Sequence, residues 1–363
     1  MIALGFAAAH PAVAAHALQQ IRHVAPRLHL NINIFVLCAL TFAIAALASV
    51  LVTPLVRRMA FAVGVFDEPD GERRVHTQPT PRLGGIALYF GFMLSLFATL
   101  SLALAHSDVI LRYLSHQDMA RIIGLLFGGT LMMGVGLWDD IMGMSARRKL
   151  VAQLAVSLVA VVMYGFTIHG LKLPHFGYVD LGWFAIPFSL FWYLGMVNAI
   201  NFADGLDGLV AGVALIASIT LTVVSLWRGE YLVAITMCAL AGAAAGFLPY
   251  NYNPARIFMG DGGALFVGFV LASAAVMGTE KAAAAISLLV PLLVLALPIL
   301  DTAAVIARRL HVRAPLFAAD RHHVHHRLLD LGLSQRQAVN LIYLVCTILG
   351  AVAITLAMRA HVF

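Results

Sequence analysis

Apolar residues in this chain fall in long, nearly unbroken runs, not in the alternating pattern of half-buried strands or the one-sided stripe of a surface helix. A helix that crosses a bilayer needs about 20 predominantly apolar residues. Ten runs meet that requirement: 32–56, 84–105, 121–138, 150–168, 182–200, 208–227, 231–249, 263–280, 284–306 and 337–358. Several are separated by only a few polar residues. The pattern therefore predicts an all-α, polytopic helical bundle of ten spans, or eleven if the arm before residue 32 supplies one. No internal repeat divides the chain, so residues 32–358 read as one transmembrane domain. Residues 1–31 read as an interfacial or poorly ordered arm. The arm is interrupted by Pro26 and lacks the basic start of a secretory signal.

Composition strengthens this picture. Of 363 residues, 62% are hydrophobic and 11% charged, with a mean hydropathy of +0.93. A soluble domain carries about a quarter charged residues, so the lipid bilayer is the expected solvent. Cys38, Cys238 and Cys346 each sit inside an apolar run and read as small hydrophobes. The net charge of +6 is spread over short loops, which argues against a nucleic-acid partner.

Charge also orients the chain. Alternating spans place the loops 57–83, 139–149, 201–207, 250–262 and 307–336 on one side, and these hold 15 of the 23 Lys and Arg. The positive-inside rule makes that side cytoplasmic. Asp67, Glu68, Asp70, Glu72, Asp139, Asp140, Asp204, Asp207, Asp261, Asp320 and Asp330 fall on the same side. Acids contribute little to topology, so their gathering on one face marks that face as the place to expect chemistry.

Five segments supply candidates. Asp139-Asp140 closes the third run, and two adjacent carboxylates at a membrane surface persist most easily beside a cation or a metal–phosphate unit. Lys149, after Arg147 and Arg148, is placed to meet phosphate oxygens. Asn198, Asn201, Asp204 and Asp207 recur every three residues. That step is about 300° on a helix, so a straight helix cannot aim all four at one ligand. Gly205 and Gly208 would let the chain bend and bring them together. In Asn251-Tyr-Asn-Pro-Ala-Arg-Ile-Phe-Met-Gly-Asp261, the aspartate precedes two glycines that open a helix, a favourable setting for a metal-bound phosphate. Phe258 offers a flat face to a nucleobase. His322-His-Val-His-His326 lacks the Cys or acid partners of a zinc site, and suits diphosphate binding or proton transfer better. Asp320 would cap a short amphipathic helix there, ending at Gly332. The loop from Asp67 to Gly85 mixes acids, arginines and His76 and has no assignable role by itself. The bland alternatives are a solvated loop pair for Asp139-Asp140, topology anchors for Arg147 and Arg148, a polar turn for 198–208, a packing aromatic for Phe258 and a polar linker for the loop from Asp67 to Gly85.

Taken in order, these segments resemble the polyprenyl-phosphate N-acetylhexosamine-1-phosphate transferases, over about Asp67 to Gly332. The resemblance implies a cytoplasm-facing active site in the bacterial inner membrane. It implies transfer of a sugar-1-phosphate, foremost GlcNAc-1-phosphate, from a UDP-sugar donor to undecaprenyl phosphate, with release of UMP. It implies Mg²⁺, with Mn²⁺ as a substitute, held by Asp261 with the Asn201 amide oxygen nearby. Asp139, Asp140 and Asp204 become the catalytic candidates. Lys149, Asn198, Asp207, Asn251, Phe258, His323, His325 and His326 become substrate-binding candidates. A second copy of the chain is admitted as a partner.

Pro81-Arg-Leu-Gly-Gly85 and His323-Val-His-His326 resemble the branch that starts O-antigen, common-antigen or teichoic-acid type glycans. The branch that makes the first peptidoglycan lipid typically has Pro-Thr-Met-Gly-Gly and three adjacent histidines. Ala264 departs from the serine usual in relatives. Two alternatives remain at this stage: the same chemistry with another UDP-N-acetylhexosamine or UDP-MurNAc-pentapeptide, and a cation-coupled transporter. A transporter would keep its acids near the bilayer midplane, where only Asp301 falls.

Overall fold

The computed structural model describes residues 33–67, 79–106, 116–173, 177–278, 284–311 and 324–359. Its helices are α1 (Ile34–Ala62), α2 (Gly85–His106), α3 (His116–Met142), α4 (Ala146–Met163), α5 (Ala185–Ala203) and α6 (Leu209–Trp227). They continue with α7 (Tyr231–Asn251), α8 (Gly260–Met277), α9 (Ala284–Val294), α10 (Ala296–His311), α11 (Val324–Asp330) and α12 (Gln335–Arg359). The described residues form an all-α bundle with two small antiparallel strand pairs. One pairs β1 (Phe66–Asp67) with β2 (Thr80–Pro81), and the other pairs β3 (Gly170–Leu173) with β4 (Gly177–Asp180).

Burial is graded across the bundle. In α8, 89% of the apolar window is buried, against 28% in α12 and 33% in α1. Thus α8 is the axis, packed against α2, α3, α5 and α9, while α1 and α12 form part of the rim. Phe35, Leu47, Leu51 and Leu55 of α1 remain exposed, as lipid-facing side chains would be. Hydroxyls fasten the helices where no water is at hand. Thr41 of α1 donates to Thr99 of α2 at 2.9 Å, and Tyr193 of α5 donates to Ser273 of α8 at 3.0 Å.

Among the described residues, eight helices are long and apolar enough to span a membrane, or nine with one broken span. The count of ten expected from the sequence differs at two places. The run 150–168 becomes α4, which begins three residues before Lys149 and ends at Met163. Arg147, Arg148 and Lys149 occupy its first turn, so its charge sets it apart from the eight. Beyond it the chain turns at Gly165, whose carbonyl takes Nε and Nη2 of the buried Arg121 at 3.2 and 3.1 Å. The run 284–306 splits into α9 and α10, with a bend of 79°. The sequence has a proline at position 298, a residue that has no backbone N–H to give and disfavours an uninterrupted helix. The hairpin at 170–180 has no counterpart in the expected pattern.

Candidate active site

One end of the bundle collects the C-terminus of α3, the N-terminus of α4, the C-terminus of α5, the α5–α6 turn and the N-terminus of α8. Close approach of backbones makes this convergence possible. A Cβ on Gly136 of α3 would lie 2.4 Å from the Asp261 carbonyl oxygen, and one on Gly85 would lie 2.3 Å from the Gly263 nitrogen. The loop before α2 is clasped to the loop before α8. Phe258 N donates to Pro81 O at 2.8 Å, Gly84 N to Phe258 O at 2.9 Å, and Gly85 N to Met259 O at 2.7 Å.

Lys149 sits at the centre. Its Nζ lies 2.7 Å from Asp261 Oδ2, 2.9 Å from Asp139 Oδ2 and 3.0 Å from Asn201 Oδ1. Four elements, α3, α4, α5 and α8, thus send one polar group each to one point. Asn201 also donates through Nδ2 to Asp261 Oδ1 at 2.5 Å. Its amide therefore ties the two residues while turning its oxygen to the ammonium.

The adjacent acids of α3 have different surroundings. Asp139 accepts from Met144 N through Oδ1 at 2.6 Å and faces Lys149 through Oδ2. Asp140 accepts from Asp261 N through Oδ1 and from Gly262 N through Oδ2, both at 2.9 Å. Asp140 is the acceptor at the start of α8, satisfying two N–H groups that no helical carbonyl can reach. The helix terminus expected to receive a substrate phosphate is therefore already capped by protein. Gly260, with φ +73°, makes room for that cap, since a Cβ there would lie 2.7 Å from Asp140 Oδ2.

Asp204 stands at the end of α5, half-buried. Loss of solvent pushes its carboxyl up to about 8, aided by the negative charges of Asp261, Asp140 and Asp207 and opposed by Arg82. Gly208 supplies the bend expected after it, at φ +81°. Asp207 points elsewhere: its Oδ2 accepts from Asn253 Nδ2 and from Ala255 N, each at 3.0 Å. Asn253 reaches on to Gln335 Oε1 at 2.5 Å, and its carbonyl takes Arg336 Nε at 2.8 Å. Asp207 thus fastens the 252–257 loop to the head of α12.

The remaining candidates divide in the same way. Asn198 gives its Nδ2 to Gln153 Oε1 and to Leu194 O, both at 2.8 Å. It forms a second α4–α5 rung one turn from the Lys149–Asn201 rung. Asn251 is buried and donates to Ile257 O at 3.0 Å, while its Oδ1 has no partner among the described residues. Phe258 is half-buried in the clasp beside α2. His323 and Asp320 lie outside the described residues. His325 and His326 fall in α11, whose end at Gly332 has the expected positive φ of +89°. Sequence reasoning did not single out Gln153, Asn253 or the Asp67–Arg82 ion pair. Gln153 follows Lys149 by four residues on the same helix face, a signal that was available.

The donor set suits a hard divalent cation. Carboxylate and amide oxygens are Mg²⁺ ligands, and Mg²⁺ is usually held by one or two carboxylates together with substrate phosphates. The described residues contain no group of three His, Cys, Asp or Glu able to hold a metal alone. Protein ligands at Asp261, with Asp139 or Asn201 beside it, fit a cation completed by substrate oxygens.

The sequence pattern of glycosyl transferase family 4 matches residues 122–279, which span α3 through α8. The chain is 34% identical to a probable undecaprenyl-phosphate N-acetylglucosaminyl 1-phosphate transferase of Bacillus subtilis (strain 168), over 87% of this chain and 84% of that one. It is 37% identical to a decaprenyl-phosphate N-acetylglucosaminephosphotransferase of Mycobacterium leprae, over 75% and 72%. It is 32% identical to a phospho-N-acetylmuramoyl-pentapeptide-transferase of Listeria innocua, over 65% and 74%. With such coverage, and with every helix that feeds the acid centre inside the matched region, the chain belongs to glycosyl transferase family 4.

Proposed function

We propose that this multi-pass membrane protein transfers GlcNAc-1-phosphate from UDP-GlcNAc to a polyprenyl phosphate, undecaprenyl phosphate in the first instance, and releases UMP. The reading places the enzyme in the bacterial inner membrane with the acid centre facing the cytoplasm. The observation that carries it is the convergence of Asp139, Asn201 and Asp261 on the Lys149 ammonium, at the membrane-surface end of a lipid-embedded bundle. A reaction between a soluble nucleotide and a lipid-anchored phosphate needs its charged machinery at that level.

In the proposed reaction an oxygen of the acceptor phosphate attacks the sugar-bearing phosphorus of the donor. The bond between the two donor phosphates breaks, and UMP leaves with the bridging oxygen. Two anions must approach each other, so neutralisation is the main task. A divalent cation bound at Asp261 would supply charge neutralisation and Lewis acidity toward the phosphate oxygens. Lys149 presents a cation to the same oxygens and holds Asp139 and Asp261 at a fixed spacing. Asp139 is the member of the pair turned toward the centre, whereas Asp140 shapes the start of α8. Asp204, its carboxyl pushed up to about 8 by burial, would in its ionised form take a proton from the acceptor phosphate. In this reading Phe258 would stack on uracil, with Asp207 and Asn251 setting the loop that carries it.

The test is a panel of UDP-sugars assayed with purified protein and undecaprenyl phosphate, with and without EDTA. Mg²⁺-dependent UMP release with UDP-GlcNAc, restored by Mn²⁺, is the expected result. Preference for UDP-MurNAc-pentapeptide would move the chain to the other branch. No turnover with any donor would sink the assignment.

A further inference from the structure

Arg82 lies between two parts of the site and has no role in the scheme above. Its backbone is inside the clasp: the residue before it accepts from Phe258 N, and Gly84 donates back to Phe258 O. Its own carbonyl oxygen and Asp140 Oδ2 crowd the same point, lying 2.1 and 2.7 Å from where a Cβ on Gly260 would sit. The Arg82 backbone is therefore fixed between Phe258 and the acid centre. Its side chain is anchored as well, with Nη2 3.0 Å from Asp67 Oδ1. The anchor is secluded and the guanidinium is not: side-chain exposure is 9% for Asp67 and 44% for Arg82. Asp67 in turn belongs to the β1–β2 pair, opposite Thr80. An exposed surface arginine held by a sequestered carboxylate keeps its position while leaving much of its planar donor edge open.

Charge gives this placement a purpose. The centre gathers Asp139, Asp140, Asp204 and Asp261, and Lys149 already spans two of them. An incoming diphosphate adds further negative charge beside these acids. A donor with its base at Phe258 and its sugar-bearing phosphate at Lys149 would carry its other phosphate past Arg82.

We propose that Arg82 is a specificity residue for the nucleotide donor, binding the phosphate that stays with the nucleoside. This rests on the transferase reading given above. The fork of guanidinium donors matches two phosphate oxygens, which Lys149, a point charge, cannot do.

The experiment compares wild-type protein with Arg82→Gln, Arg82→Lys and Asp67→Asn in full-length, detergent-purified form. With Arg82→Gln, the KM for UDP-GlcNAc should rise about tenfold or more and inhibition by UMP should weaken equally. Inhibition by uridine, which lacks the phosphate, should stay within about twofold, as should the KM for undecaprenyl phosphate. Arg82→Lys should recover part of the loss, and Asp67→Asn should give the same pattern at about threefold. Unchanged donor KM and UMP inhibition in a folded Arg82→Gln protein would overturn the proposal, and so would a rise in the acceptor KM alone. If Arg82→Gln does not fold, Asp67→Asn decides, and unchanged UMP inhibition there is equally fatal. Wild-type protein without transferase activity would instead indict the proposed function.

Discussion

Two polar networks occupy the same end of the bundle and use the same residue types to different ends. Around Lys149, oxygens of Asp139, Asn201 and Asp261 converge on a side-chain ammonium at the end of a flexible stem. At the head of α12, Asp207, Asn253 and Gln335 are consumed by one another and by the backbone N–H of Ala255. A carboxylate satisfied by backbone donors cannot let go without unravelling a loop. One satisfied by a lysine can exchange that cation for a metal or hand it to a phosphate. The partner, more than the acid, separates machinery from scaffold here, and the same division runs between neighbours Asp139 and Asp140.

The sharpest way to break this comparison is Asp261→Asn. It removes a charge from the exchangeable centre, and UMP release should fall by at least about 10³-fold while the protein remains folded. Activity within about tenfold of wild type would return Asp261 to the scaffold.

Next in size is the contrast between the paired acids. Asp140→Asn should lower stability by about 2 kcal/mol, because an amide has one acceptor oxygen for the two N–H groups that Asp140 caps. Asp139→Asn should cost less than about 1 kcal/mol in stability but about 100-fold in turnover. Thermal melts in detergent set beside turnover would read both, and a reversed order would erase the distinction.

A pH dependence concerns Asp204. Its folded carboxyl titrates at about 8 against an ordinary value of 3.8, so the folded protein binds this proton more tightly than the unfolded chain. The associated stability is present at acid pH and is lost as pH rises through that window. In EDTA, wild-type melting temperature should therefore decline between about pH 4 and about pH 8, and Asp204→Asn should make that decline shallower. Parallel curves for the two proteins would show that Asp204 ionises without strain.

Much of this was legible in the chain before folding. The long apolar runs forecast the eight long apolar helices among the described residues, and their ends agree with those helices to within about six residues. Of the acids expected on one face, Asp139, Asp140, Asp204, Asp207 and Asp261 gather at one end of the bundle, while Glu68, Asp70, Glu72 and Asp320 lie outside the described residues. Less legible were α4, where three cations start the helix, and the break between α9 and α10, which depends on whether neighbours tolerate a proline or bend around it. The metal-site expectation for Asp261 and Asn201 named two residues that do meet. The helix terminus assigned to phosphate, by contrast, is filled by Asp140.

By itself, then, the sequence determined the solvent, the number of long apolar crossings to within one or two, and the face that carries the charge. Those properties follow from runs of residue type, and runs are local. Only the tertiary structure decided that Asp139 turns to Lys149 while Asp140 turns to the start of α8, or that Asp207 holds a loop. The direction of a side chain depends on which backbone lies within 3 Å of it. Helix packing brings residues more than 120 positions apart to that distance.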